Sequence, residues 1–171
     1  MKLIFDLDVE QCIGCGACSV ACMDQNDYQP GETSLPYRAV STLEIQNGGV
    51  WRHKNFSMAC MHCADAPCLK ACPAGCISKD EESGLTVFDN TNCIGCHSCA
   101  MACPFAAPRF NPSGKMVKCD GCIDRLKAGL EPACVRICPF DALNVYTEEE
   151  YAKVKECQSL HQITQIILEQ K

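Results

Sequence analysis

A chain of 171 residues has room for one ordinary domain or two very small ones, and 18 of its residues are cysteine. The hydrophobic fraction of 47% includes those cysteines; setting them aside leaves about 36% of the chain, a thin core that needs staples in the form of disulfides, zinc or iron–sulfur clusters. A formal net charge of −6, from 21 acidic against 15 basic residues, lacks the electrostatic footprint for phosphate backbones and argues against nucleic acid as a partner.

Leu3 to Leu7 reads as a strand leading into the first cysteines. Asp6, Asp8 and Glu10 fall where a secretory signal would need an uninterrupted apolar stretch, so the expected location is cytoplasmic or peripheral to a membrane, compatible with export alongside a partner. In a reducing compartment dense cysteine means metal ligation rather than disulfides. No apolar run approaches the length of a membrane span.

The cysteines then fall into four groups. Group one is Cys12, Cys15, Cys18 and Cys22, spaced CxxCxxCxxxC. Residues 37 to 58 read as a hairpin inserted before group two, with Asn47-Gly48 at a turn flanked by Leu43/Ile45 and Val50/Trp51. Group two is Cys60, Cys63, Cys68 and Cys72, spaced CxxCx4CxxxC, followed by Cys76 as a small buried hydrophobe. Leu85 to Phe88 reads as a strand leading into group three, Cys93, Cys96, Cys99 and Cys103, again CxxCxxCxxxC. Group four is Cys119, Cys122, Cys134 and Cys138, spaced CxxCx11CxxxC. Residues 147 to 170 read as a helical tail, with Thr147 as N-cap, Glu150 three residues later and Cys157 incidental.

Every group ends in CxxxC, and in three the last cysteine precedes proline: Cys72-Pro73, Cys103-Pro104 and Cys138-Pro139. This is the bacterial ferredoxin signature. Three closely spaced thiolates on a tight loop grip three corners of a cubane while backbone N–H groups turn toward its sulfurs, and Gly14, Gly16 and Gly95 permit that close approach. The fourth cysteine, about a turn further along a short helix, ligates the other cluster of a two-cluster module, so sixteen ligands mean four [4Fe-4S] clusters.

Competing chemistries fit less well. Zinc ribbons use paired CxxC and have no need of CxxCxxC followed by xxxC-Pro. A thioredoxin-like CxxC would lie in a βαβ pattern and would not continue into further cysteines. Cys93-Ile-Gly-Cys96-His97 matches the covalent haem signal, but that reading orphans Cys99 and Cys103 and needs an export signal. His97 and His62 are then intervening loop residues, since a Rieske centre would need a later CxxH pair. No catalytic triad, phosphate loop or paired carboxylates stand out, so no catalytic residue and no small-molecule substrate are expected.

The order CxxCxxCxxxC, CxxCx4CxxxCP, CxxCxxCxxxCP, CxxCx11CxxxCP resembles the iron–sulfur subunit of the dimethyl sulfoxide reductase (molybdopterin oxidoreductase) family from about residue 3 to about residue 146. Local strings carry the same likeness: Gly49-Val-Trp51, Cys63-Ala-Asp-Ala-Pro-Cys68, Cys93-Ile-Gly-Cys96 and Lys118-Cys-Asp-Gly-Cys122. The resemblance implies a non-catalytic electron-transfer subunit between a molybdopterin or tungstopterin catalytic subunit and a quinone-reactive membrane subunit or another redox partner, as in anaerobic respiration. A freely diffusing polyferredoxin is the alternative, and a zinc-organised interaction protein a third.

It further implies an α+β fold of two ferredoxin-like dicluster modules, with short strands and helices wrapped around the clusters. Groups one and four would form the first module (residues 1–30 and 111–146) and groups two and three the second (59–110), with 31–58 an inserted hairpin and 147–171 a helical tail. By similarity, Cys12, Cys15, Cys18 and Cys138 hold one cluster, and Cys119, Cys122, Cys134 and Cys22 its mate. Cys60, Cys63, Cys68 and Cys103 would hold the third, and Cys93, Cys96, Cys99 and Cys72 the fourth. Some relatives carry tryptophan for a group-three cysteine and a [3Fe-4S] cluster there; group three keeps all four cysteines, so four cubanes are expected. Group one departs from the pattern by ending Cys22-Met23, which changes a helix stop but no ligand.

Overall fold

The computed structural model describes residues 2–28 and 36–169, with side chains described as far as 161. The parts of the expected first module, inserted segment and tail that fall at residues 1, 29–35 and 170–171 lie outside the described residues. The chain is α+β and ferredoxin-like in its mixture of short elements: β1 (Leu3–Leu7), α1 (Ala17–Gln25), β2 (Ala39–Asn47), β3 (Val50–Met58), α2 (Pro67–Lys70), β4 (Ile77–Lys79), β5 (Thr86–Phe88), α3 (Ser98–Ala102), β6 (Arg109–Phe110), β7 (Met116–Val117), α4 (Ile123–Lys127), α5 (Ala133–Arg136), β8 (Leu143–Thr147) and α6 (Glu148–Glu169).

All the strands pair antiparallel, two by two: β1 with β8, β2 with β3, β4 with β5 and β6 with β7. The β1–β8 pair sets Phe5 opposite Val145 and brings the start of group one beside the end of group four, although the two strands lie far apart in sequence. Helix α1 packs on α5, and α2 on α3, so cysteine-bearing helices face each other in pairs.

The apolar interior is correspondingly split. One buried cluster gathers Cys18, Cys134 and Leu143 with Leu7, Val40 and Cys138 around it; the other gathers Ala66, Cys68, Ile77, Cys99 and Met116 with Phe88 and Phe110. Cysteine stands in both where a larger core would hold leucine or phenylalanine, and the largest fully buried side chain is a lysine, Lys118. The N–H of Leu3 donates to Ser83 O at 2.8 Å, tying β1 to the β4–β5 turn.

The β2–β3 hairpin turns one residue later than its Asn-Gly signal suggests. Asn47 pairs with Val50, and Gly48 and Gly49 are the two central residues, at φ 57° and 82°. Left-handed conformations at both positions give the turn whose twist matches the strands, which two glycines adopt without steric cost. The outer half of the hairpin, including Leu43, Ile45, Val50 and Trp51, is exposed, while its base at Arg38 and Ser57 is buried. At the other end of the chain, the Thr147 N–H donates to Glu150 Oε2 at 2.9 Å and the Glu150 N–H to Thr147 Oγ1 at 3.2 Å, a reciprocal capping box that starts α6. No helix among the described residues is long and apolar enough to cross a membrane.

Candidate metal centres

Positive φ turns the chain into three of the short helices, whereas α2 and α5 start from Ala66 and Pro132 at φ −81° and −52°. Gly16 at φ 78° turns the chain into α1, so Cys18 and Cys22 stand one helical turn apart, and both are buried. His97 at φ 62° does the same ahead of α3, which carries Cys99 and ends at Cys103; Cys122 itself, at φ 54°, precedes α4. At Gly14 and Gly95 a β-carbon would also meet protein, Asn55 Cγ at 2.8 Å and the Gly114 carbonyl oxygen at 2.7 Å, respectively. Gly14 thus seats β3 on the group-one loop, and Gly95 seats the group-three loop on the turn between β6 and β7.

Cys12, Cys15, Cys18 and Cys138 line one cavity. Cys22, Cys119, Cys122 and Cys134 line a second. Cys72, Cys93, Cys96 and Cys99 line a third, which Cys76 also borders. The recipe is the same in all three: three thiols from one group and one from another. Cys60, Cys63, Cys68 and Cys103 remain; Cys60 and Cys103 act electrostatically on Cys68, and Cys63 packs against the core to which Cys68 belongs.

Among the described residues, no three His, Cys, Asp or Glu side chains converge as a single ion requires. The donor sets fit a larger, anionic, sulfur-ligated group. Their charge environment says the same. Arg38 is 5% exposed and Lys118 fully enclosed, and with the partly buried Lys79 they have no carboxylate in ion-pair contact among the described residues. Thiols surround them instead: Cys134, Cys119 and Cys18 act on Arg38, and Cys63 and Cys60 on Lys79. Buried cations without anions are costly, and thiolates carrying a cluster supply the missing negative charge.

Without a metal the same burial keeps thiols protonated. Desolvation pushes Cys119 up to about 12 and Cys22 and Cys99 up to about 11, so loading must displace these protons. Cys96 lies on the other side of its usual range, lowered by its hydrogen bonding to Ser98. Cys15 and Cys96 are exposed, whereas the cysteines of the two remaining sets are buried or half-buried.

Several residues at these cavities carry no motif signal. Arg38 donates to Ser57 O at 3.2 Å and Ser57 Oγ at 3.1 Å, and Ser57 Oγ lies 3.2 Å from Cys18 Sγ. Val40 and Ser57 border the first cavity, and Tyr37 and Arg38 the second, so the hairpin base closes two cavities at once. His97 stacks on Phe110 with ring centroids 3.7 Å apart. His62, expected as an intervening loop residue, is instead built in: its ring stacks on Phe5, accepts from the Thr86 N–H at Nδ1, and sets Nε2 3.6 Å from Cys119 Sγ.

Residues 51–160 match the 4Fe-4S dicluster domain family. The chain is similar to the B subunit of the anaerobic dimethyl sulfoxide reductase of Escherichia coli K12, 41% identical over 156 residues that cover 87% of this chain and 75% of that one. The Haemophilus influenzae protein of the same name is 39% identical over 82% of this chain and 71% of its own. The iron-sulfur subunit of the nitrate-inducible formate dehydrogenase of E. coli K12 is 37% identical over 88% of this chain and 56% of its own length.

Proposed function

We propose, for a chain that belongs to the 4Fe-4S dicluster family and is an iron–sulfur electron-transfer subunit of the dimethyl sulfoxide reductase type, that it carries four [4Fe-4S] clusters in two crossed modules. Groups one and four form the first module and groups two and three the second. The observation that carries this reading is that three cavities are each lined by three cysteines of one group and one of its partner group. Bound in these sites, the clusters supply one-electron carriers; the protein supplies ligands, charge and exclusion of water.

The exposure of the thiols supports an order. The set of Cys12, Cys15, Cys18 and Cys138 and the set of Cys72, Cys93, Cys96 and Cys99 each contain an exposed cysteine, and form the two ends. The sets containing Cys119 and Cys60 lie between them. Exposed apolar side chains flank both ends, Ile13 and Phe140 at one and Ile94, Met101 and Phe105 at the other. Such patches favour docking to partners over free diffusion. One partner is a molybdopterin or tungstopterin catalytic subunit, and the other a quinone-reactive membrane subunit or further redox protein.

Iron and sulfide analysis of the anaerobically purified chain tests the cluster count, with about sixteen irons per chain expected from four cubanes. About four metal ions per chain, as zinc, would overturn the reading. Co-purification from the native source with a molybdenum- or tungsten-containing subunit is the expected result for partnership; a chain that purifies alone with all its iron would favour the polyferredoxin.

A further inference from the structure

Two cross-connections join the halves of the molecule at the middle of the relay, and they are reciprocal. His62 belongs to the group-two loop, one residue before Cys63, and places Nε2 3.6 Å from Cys119 Sγ of group four. Lys118 immediately precedes Cys119 and places Nζ 3.9 Å from Cys60 Sγ of group two.

The hydrogen-bond directions are fixed by the surroundings. The Thr86 N–H donates to His62 Nδ1 at 3.1 Å, so in the neutral ring the proton sits on Nε2, and the contact to Cys119 is an N–H···S hydrogen bond donated by His62. Lys118 has three N–H bonds and three acceptors: Thr86 O, Cys119 O at 2.8 Å and Cys60 Sγ. A single buried residue, Thr86, therefore orients both groups, its N–H holding the histidine and its carbonyl the lysine. Phe5 stacks on His62 with centroids 5.5 Å apart, and Gly121 leaves room for that stack.

Hydrogen bonds to cluster sulfurs and nearby positive charge both stabilise the reduced state of an iron–sulfur centre. The geometry points to His62 and Lys118 as a pair of positioning residues that set the potentials of the two middle clusters and form the electron crossing between the modules. This rests on the four-cluster reading. His62 donates from the second module to a ligand of the first, and Lys118 places its charge from the first module on a ligand of the second. Each group thus biases the site to which it is not a ligand. With the clusters bound, one electron would pass from the site being oxidised to the site being reduced, with no bond made or broken and the Nε2 proton staying on His62.

The experiment is redox-poised electron paramagnetic resonance on the cluster-loaded full chain, with Cys119→Ser and Cys60→Ser identifying the two middle signals. Unaltered chain is compared with His62→Leu, His62→Gln, Lys118→Met and Lys118→Arg, each checked for iron content. His62→Leu is expected to move the Cys119-dependent signal to lower potential and leave the signals of the Cys15 and Cys96 sets in place, and His62→Gln, which keeps an N–H, to recover most of the shift. Lys118→Met is expected to lower both middle potentials and Lys118→Arg to retain them. Full iron with unmoved middle potentials, an equal shift in all four signals, or His62→Gln behaving as His62→Leu would each overturn the inference. If Lys118→Met fails to load iron, the two His62 variants decide by the same criterion. Fewer than four cluster signals in the unaltered loaded chain would defeat the underlying reading instead, so the two failures are told apart.

Discussion

A β-carbon at Gly121 would meet Leu85 Cδ1 at 2.6 Å and both His62 Cε1 and Phe5 Cε2 at 3.5 Å, on a backbone at φ +79°. Leu85 is fully buried and has nowhere to retreat. Gly121→Ala should therefore destabilise the loaded chain by about 1–3 kcal/mol, from left-handed strain and overpacking together, measured as a lowered thermal midpoint with faster loss of iron. Arg38 tests charge rather than space. Arg38→Met keeps most of the volume but removes the cation that Cys134, Cys119 and Cys18 surround and the donor that holds Ser57. Release of iron to a chelator should accelerate at least about tenfold, some 1.4 kcal/mol of lost stabilisation; an unchanged rate would show that the cation is not matched to the clusters. The role of neither residue was legible in the sequence, although Gly121 lies within the Lys118-Cys-Asp-Gly-Cys122 string. The cysteine spacing is dictated by ligand chemistry along the chain, whereas Arg38, Ser57, Thr86 and Gly121 matter only through what folding brings against them. His62 and Lys118 lay inside recognisable strings, yet their contacts cross between groups.

Elements show the same division between local and distant causes. The capping box at Thr147 and Glu150 was readable because its signal is confined to four residues, and the hairpin because its turn glycines sit between two extended runs. The turn was displaced by one residue because Gly48 and Gly49 together satisfy a geometry that Asn47 and Gly48 would satisfy less easily. Pairing of β1 with β8 had no local signal at all. For the tail, Thr147→Ala should cost about 1 kcal/mol of stability in the first turn of α6, seen as faster amide hydrogen exchange at residues 149–152. Hydrogen bonds from the Thr147 backbone and side chain lower the Glu150 carboxyl below its usual range. A carboxylate depressed in the folded state contributes fully above its unfolded value and loses that contribution as pH falls through the folded one. The same amides should therefore lose protection on acidification below the ordinary carboxylate range, and Glu150→Gln should remove that dependence.

For the molecule as a whole, the clusters take the place of much of the missing core. The buried cations Arg38 and Lys118 would face neutral thiols in a metal-free chain, and both apolar clusters are built on cysteine. Stripped of iron and sulfide, the chain should lose its cooperative thermal transition; a compact, cooperatively melting iron-free chain would count against this. With four oxidised clusters at about −2 each, the net charge of −6 becomes roughly −14, so docking to a partner should weaken measurably with salt wherever the partner face is basic. The two-module relay depends on the crossing of the groups. Helix α1 carries Cys18 toward one cavity and Cys22 toward another, shared with Cys119, Cys122 and Cys134. Redox-poised electron paramagnetic resonance of Cys22→Ser beside Cys119→Ser and Cys15→Ser examines that directly. Serine is a harder, more basic ligand, so the affected cluster should shift in potential or lose an iron to become [3Fe-4S]. The crossed arrangement predicts that Cys22→Ser alters the same signal as Cys119→Ser and leaves the Cys15-dependent signal near its original potential, whereas Cys22→Ser tracking Cys15→Ser would mean four independent groups and would contradict the two-module relay.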